Sequence, residues 1–266
     1  MSIEIIGYIA SILIGVSLGL IGGGGSILTV PVLVYLMHIN PSLATTSSLF
    51  IVGTTSLAGG LRAYSKNLVD FKAVTEFGIP SIFSIFITRH FILPAIPPLF
   101  VIGKETISKD RFLMIFFAIL MLTASFSMIK NNKTAEQVSA RETTSKSLPL
   151  LLLGLLVGVV TGLLGAGGGF LIIPSLVLFL RLPMKIAVGT SLLIIGINSF
   201  LGFLFSFKQF EYNWTILIIF TVLAICGIFI GSKLSERIPG SSLKKGFGWF
   251  VLAMAVWIVS YELAVK

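Results

Sequence analysis

Apolar residues gather along this chain in runs near 3–21, 27–38, 42–61, 72–92 and 110–129, and again near 148–164, 170–181, 185–205, 212–232 and 244–263. A helix crossing a bilayer needs about 20 such residues at a rise of about 1.5 Å each, and several runs approach that length. The runs 27–38 and 170–181 hold only about a dozen residues and are too short to cross alone. Each directly follows a glycine cluster, which predicts two discontinuous or re-entrant elements. Irregular backbone is tolerated at membrane depth only where it is buried in protein or lines a polar cavity. The polar stretch 130–147 has no apolar periodicity and is expected to be a flexible connector. Segment 91–103, with Pro94, Pro97 and Pro98, is predicted to be an interfacial connection that no ordinary helix runs through.

The two groups of runs repeat one another. Gly19-Leu20-Ile21-Gly22-Gly23-Gly24-Gly25-Ser26 leads to Pro31, and Gly162-Leu163-Leu164-Gly165-Ala166-Gly167-Gly168-Gly169 leads to Pro174, an offset of 143. The same offset joins Ala44 to Ala187, Ser48 to Ser191, Gly53 to Gly196, Ser56 to Ser199 and Gly59 to Gly202. The chain therefore divides into a first repeat (1–130), a polar linker (131–147) and a second repeat (148–266). Glycine-interrupted apolar segments at matching places in two halves point to the substrate site of a transporter.

Composition settles the solvent. Of 266 residues 56% are hydrophobic and 11% charged, and the mean hydropathy is +1.05. Soluble domains carry roughly 25% charged residues, so the expected fold is an all-α polytopic membrane protein. The net charge of +9 is explained better by loop topology than by nucleic acid. The single Cys226 rules out an internal disulfide or a cysteine-built metal site and reads as a core or lipid-facing thiol. The N-terminus, with Glu4 and no nearby Lys or Arg, reads as a first mature segment rather than a cleaved signal.

If each half contributes five segments, thirteen of the 19 Lys and Arg residues lie on one side, Arg62, Lys66, Lys72 and Lys130 among them. The other side holds Arg89, Lys104, Lys109, Arg111, Lys208 and Lys266. The richer side is expected to be cytoplasmic. An odd number of segments per half makes the repeats inverted, with both termini outside the cytoplasm.

Two constellations are candidates for chemistry. Gly22, Gly23, Gly24 and Gly25, and again Gly167, Gly168 and Gly169, allow positive φ and expose successive N–H groups ahead of a helix, as an anion-binding nest requires. Close packing of small residues is the competing explanation. Ser47, Ser48, Thr190 and Ser191 open the segments that follow, with Thr54, Thr55, Ser56, Asn198 and Ser199 two turns on. Ser48 and Ser56 share a helix face, as do Ser191 and Ser199. Such hydroxyls line a polar path or bond backbone and neighbouring helices. No Asp, Glu, Lys or Arg is expected near the middle of a span, which argues against a cation path and suits an anion held by neutral dipoles. His38 and His90 read as interfacial, and Trp214, Trp249 and Tyr212 as interface anchors. Nucleotide-binding and hydrolase-elbow motifs are absent, and no cofactor, metal or catalytic residue is expected.

Taken together, the paired glycine turns with their prolines, the runs Ala44-Thr45-Thr46-Ser47-Ser48 and Ala187-Val188-Gly189-Thr190-Ser191, and the stretch from Gly231-Ser232-Lys233-Leu234 through Leu243-Lys244-Lys245-Gly246-Phe247-Gly248 resemble the sulfite exporter TauE/SafE family of membrane permeases. The resemblance spans essentially the whole chain. It implies transport of sulfite, organosulfonates or related small sulfur-containing anions across the cytoplasmic (inner) membrane of a prokaryote. The loop at 91–110, longer than its counterpart, departs from the two-half pattern. An anion channel and a non-transporting scaffold or sulfur-pathway accessory protein are the alternatives. The expected partners are a small anion and the lipid bilayer, with a homo-oligomer left open.

Overall fold

The structure is a computed structural model that describes residues 2–97, 99–102, 105–130, 147–180, 182–235 and 240–264. The linker residues 131–146 lie outside the described residues. The first half comprises α1 (Ser2–Ile21), α2 (Ser26–Pro31, prolonged by a π-helical turn Val32–Leu36), α3 (Pro41–Ser65) and α4 (Phe71–Ile87). A second π turn, Thr88–Ile92, carries α4 into the short α5 (Leu93–Ala95), before a hairpin of β1 (Leu99–Ile102) and β2 (Glu105–Ser108) and then α6 (Lys109–Lys130). The second half comprises α7 (Ser147–Leu164), α8 (Gly169–Phe179), α9 (Met184–Ser206), α10 (Trp214–Ser235) and α11 (Gly240–Ala264).

Among the described residues the fold is helical apart from that hairpin, in which Leu99 pairs with Ser108 and Ile102 with Glu105. Among the described residues three helices are long and apolar enough to cross a membrane: Phe71–Ala95, Met184–Gln209 and Trp214–Ser235. The prolines of segment 91–103 end the helix later than expected. Pro94 sits in the first turn of α5, where the missing N–H costs little, and the π turn before it absorbs the ring. Leu99–Ile102 of the segment forms the first strand of the hairpin.

Solvent preference is reversed from that of a soluble bundle. Leu13, Ile79, Phe83 and Ile230 point outward, while Thr46, Ser48, Thr55, Ser56, Asn198 and Ser199 are buried. An outward apolar surface and an interior rich in small polar residues are what lipid-solvated helices require, because lipid offers helices no hydrophobic drive to associate.

The halves interleave rather than sit side by side. α1 packs along α10 and α7 along α4, α3 packs against α9, and α6 against α11. The contacts exchange at the offset seen in the sequence. A Cβ on Gly15 would collide with the Ala224 carbonyl, and one on Gly158 with the Ser81 carbonyl. Likewise Gly53 lies against Phe200, and Gly196 against Leu57. Gly154, Gly158 and Gly162 thus serve the internal α4–α7 contact, with Phe77, Ser81 and Thr88 against them. Without side chains at these points the backbones approach closely, as small-residue membrane contacts do.

Candidate functional site

The glycine clusters end α1 and α7 in the same way. Gly22 (φ 79°) and its counterpart Gly165 (φ 68°) adopt the left-handed conformation. Their N–H groups donate to the Leu18 carbonyl at 2.7 Å and the Thr161 carbonyl at 2.9 Å, again counterparts. This is the left-handed C-cap for which glycine is favoured. The short helices then begin at matching residues, Ser26 and Gly169. The turns differ just before that start: Gly25 is right-handed (φ −67°), whereas Gly167 and Gly168 are left-handed (φ 65° and 67°).

The two turns meet in the interior, where Gly22 to Gly25 and Gly167 to Gly169 are all buried. A Cβ on Gly23 would lie 2.7 Å from Gly169 backbone, and one on Gly169 would lie 2.6 Å from the Gly23 Cα. Only two glycines permit that approach. Gly22 abuts Val188, while Gly165 abuts the Thr45 carbonyl, once more counterparts.

The serines lock the turns across the halves. Ser48 donates its hydroxyl to the carbonyl of Gly165, and Ser191 donates to the carbonyl of Gly22 at 3.0 Å. Ser191 also reaches the Val188 carbonyl at 2.8 Å. Sequence spacing placed these hydroxyls near the glycines but gave no hint that each serves the other half's turn. Thr190 accepts from the Asp70 N–H at 2.9 Å, so it braces the start of α4 rather than the glycine turns. Ser47 lines a separate small cavity of about 100 Å³ with Tyr212, Asn213, Leu33 and Phe220.

Further along α3 and α9, the stripe of hydroxyls is buried with its hydrogen bonding incomplete. Thr54, Thr55, Ser56 and Ser199 have no partner for their hydroxyls, and the Asn198 carbonyl oxygen has none although its amide donates to Ser81 at 2.8 Å. Ser199 stands beside Gly167, and the unpartnered Thr161 hydroxyl beside Gly168. Buried polar groups normally find partners, and unpaired ones in an apolar medium mark places where another group belongs.

Arg89 was placed by sequence among the loop cations of the charge-poor side, and the structure corrects this. It occupies the π turn that prolongs α4, and its exposure is 0%. Its Nη1 donates to the Thr46 hydroxyl at 2.9 Å, while Nε and Nη2 have no partner. The signal available in sequence was its place inside the run 72–92, between Ile87-Thr88 and Phe91-Ile92. No charged residue is expected near the middle of a span; Arg89 lies toward the end of the stretch Phe71–Ala95, yet it is buried because the helix continues through Pro94. Of the nearby cations, Lys109 donates to the Leu93 carbonyl at 2.5 Å. Asp110 is held by Asn40 at 3.0 Å and Ser42 at 2.6 Å, at the start of α3 and α6. Burial pushes the Tyr212 phenol up to about 12, with Arg89 opposing the shift, so the group stays protonated near neutrality.

His38 and His90 are both exposed, the latter stacked on Phe86 with ring centroids 5.5 Å apart. Tyr212 and Trp214 join an aromatic group with Phe50, Phe203 and Phe207. Cys226 is exposed on α10. No cluster of three metal-ligating residues occurs among the described residues.

The family profile described as sulfite exporter TauE/SafE matches residues 8–258. This chain belongs to the sulfite exporter TauE/SafE family. It is similar to a probable membrane transporter protein of Xylella fastidiosa (strain Temecula1), 30% identical over 252 residues that cover 93% of this chain and 91% of the relative. A probable membrane transporter protein of Haemophilus influenzae is 28% identical over 263 residues, covering 92% and 93%. The Bacillus subtilis protein YunE, also named a probable membrane transporter, is 27% identical over 245 residues, covering 82% of each chain. No solved structure matches. The protein is thus a multi-pass member of a membrane transporter family.

Proposed function

We propose that this TauE/SafE member is a secondary permease of the cytoplasmic membrane for sulfite, organosulfonates or related small sulfur-containing anions. One observation carries the anion reading. Among the described residues the buried polar groups are hydroxyls, one Asn and one Arg, and none is a carboxylate. Transporters of cations and protons commonly set carboxylates at membrane depth; an interior of donors and one cation favours a negative guest.

In this reading Gly22 to Gly25 and Gly167 to Gly169 present backbone donors where the turns meet, with Ser48 and Ser191 beside them, while Ser47 and Thr190 lie further off. The hydroxyls of Ser48 and Ser191 already donate to turn carbonyls, so toward substrate they position the backbone. The exchanged contacts of the halves support an inverted repeat with Ser26–Leu36 and Gly169–Phe179 as re-entrant elements. Alternating access then rocks one repeat against the other around a central site. With no buried carboxylate among the described residues to couple a cation, the substrate's own proton or the membrane potential drives the cycle.

The test is uptake of labelled sulfite into proteoliposomes holding only this protein, with sulfate, thiosulfate and small sulfonates as competitors. Saturable uptake accelerated by unlabelled anion inside is the expected result. Flux without saturation or counterflow would instead indicate a channel, and no flux of any anion would leave the accessory role.

A further inference from the structure

Arg89 is the one buried cation among the described residues, and its bonding is half complete. Thr46 occupies Nη1, which leaves Nε and Nη2. Those two nitrogens form one edge of the guanidinium, and that edge is the fork that takes two oxygens of a planar or tetrahedral oxyanion side by side. A buried Arg without a countercharge is unfavourable unless something negative completes it. Lys109 adds like charge nearby, and Asp110 is already bonded to Asn40 and Ser42. From α4 itself, Glu76 pairs with Lys72 at 3.8 Å, more than three turns away.

We propose that Arg89 is the charged contact of the transported anion, its Nε–Nη2 edge receiving two oxygens of one oxyanion while Thr46 fixes the guanidinium by Nη1. This rests on the anion-transport reading and sharpens its substrate class to oxyanions rather than halides. The site is single. The position matching Arg89 is Ser232, whose hydroxyl donates to the Ile228 carbonyl at 2.7 Å, and the position matching Thr46 is Gly189. One anion per chain is held by charge. Next to Thr46 in sequence, Ser47 opens onto a different chamber, the cavity of about 100 Å³ shared with Tyr212, whose lining does not include Arg89.

The experiment uses the purified full-length protein in detergent, with thermal shift and calorimetric titration against sulfite, sulfate and chloride. The wild type is expected to be stabilised saturably by sulfite or sulfate and not by chloride at equal ionic strength. Arg89→Gln should stay folded, melt no lower than wild type without anion, and bind at least about tenfold more weakly. Arg89→Lys keeps the charge and the bond to Thr46 but loses the fork, and should also bind at least about tenfold more weakly. Should Arg89→Gln fail to fold, Arg89→Lys decides alone. Oxyanion affinity equal to wild type in a folded variant overturns the proposal, as does a wild type that binds chloride as well as sulfite or binds no oxyanion. Uptake separates the two readings. Wild-type transport with Arg89-independent affinity removes this site and keeps the transporter, whereas Arg89-dependent binding without transport does the reverse.

Discussion

The two halves of this molecule share their helix caps and the ties across their turns but differ in the charge they bury. Gly22 and Gly165 cap equivalent helices, Ser191 and Ser48 tie equivalent carbonyls, and Asp70 and Asn213 cap α4 and α10 through Ala73 and Ile216. Arg89 and Thr46 have no such counterparts, since Ser232 and Gly189 stand in their places. Close packing is satisfied by the same small residues on both sides of an exchange. A second buried Arg would add another desolvation penalty and repel the first, so duplication of the frame need not extend to the charge.

The relation between halves can be broken most sharply by labelling. Lys66 and Gln209 are counterparts and both exposed. With Cys226 replaced by Ala, Lys66→Cys is expected to react with an impermeant maleimide only from the cytoplasmic side and Gln209→Cys only from the opposite side. Reaction of both from one side would dismiss inverted repeats.

The next largest effect concerns the turns. Gly165→Ala puts a Cβ into the Thr45 carbonyl at a φ of 68°, so a loss of about 3 kcal/mol or more, or no monodisperse protein, is expected. Gly22→Ala meets Val188, whose side chain can shift, and should lose about 1–3 kcal/mol. Melting of the two variants in one detergent checks the order.

Removing the ties should separate the halves more gently. Ser48→Ala leaves the buried Gly165 carbonyl without its donor, a loss of about 1–2 kcal/mol. Ser191→Ala should cost less at the Gly22 carbonyl, because the hydroxyl is shared with Val188. If the double variant also leaves sulfite uptake and affinity unchanged, neither serine positions the site.

The smallest difference is expected at the caps. Asp70 accepts from Ala73 at 3.0 Å, and Asn213 from Ile216 at 3.3 Å in a more exposed setting. Replacement by Ala should cost about 1 kcal/mol at Asp70 and about half that at Asn213, read from melting temperatures.

By itself the sequence determined the helical membrane character, the repeat and the positions of the turns, because apolar run length and glycine spacing are local properties of the chain. It also located Ser48 and Ser191 close to the glycine turns, since their spacing from the glycines repeats. The tertiary structure alone decided that each serine serves the opposite half, because partners separated by more than a hundred residues leave no local trace. It also decided the fate of Arg89. A cation three residues from the end of a predicted run reads as a loop residue until the helix is seen to continue through Pro94, and burial depends on neighbours that only the interleaved packing supplies.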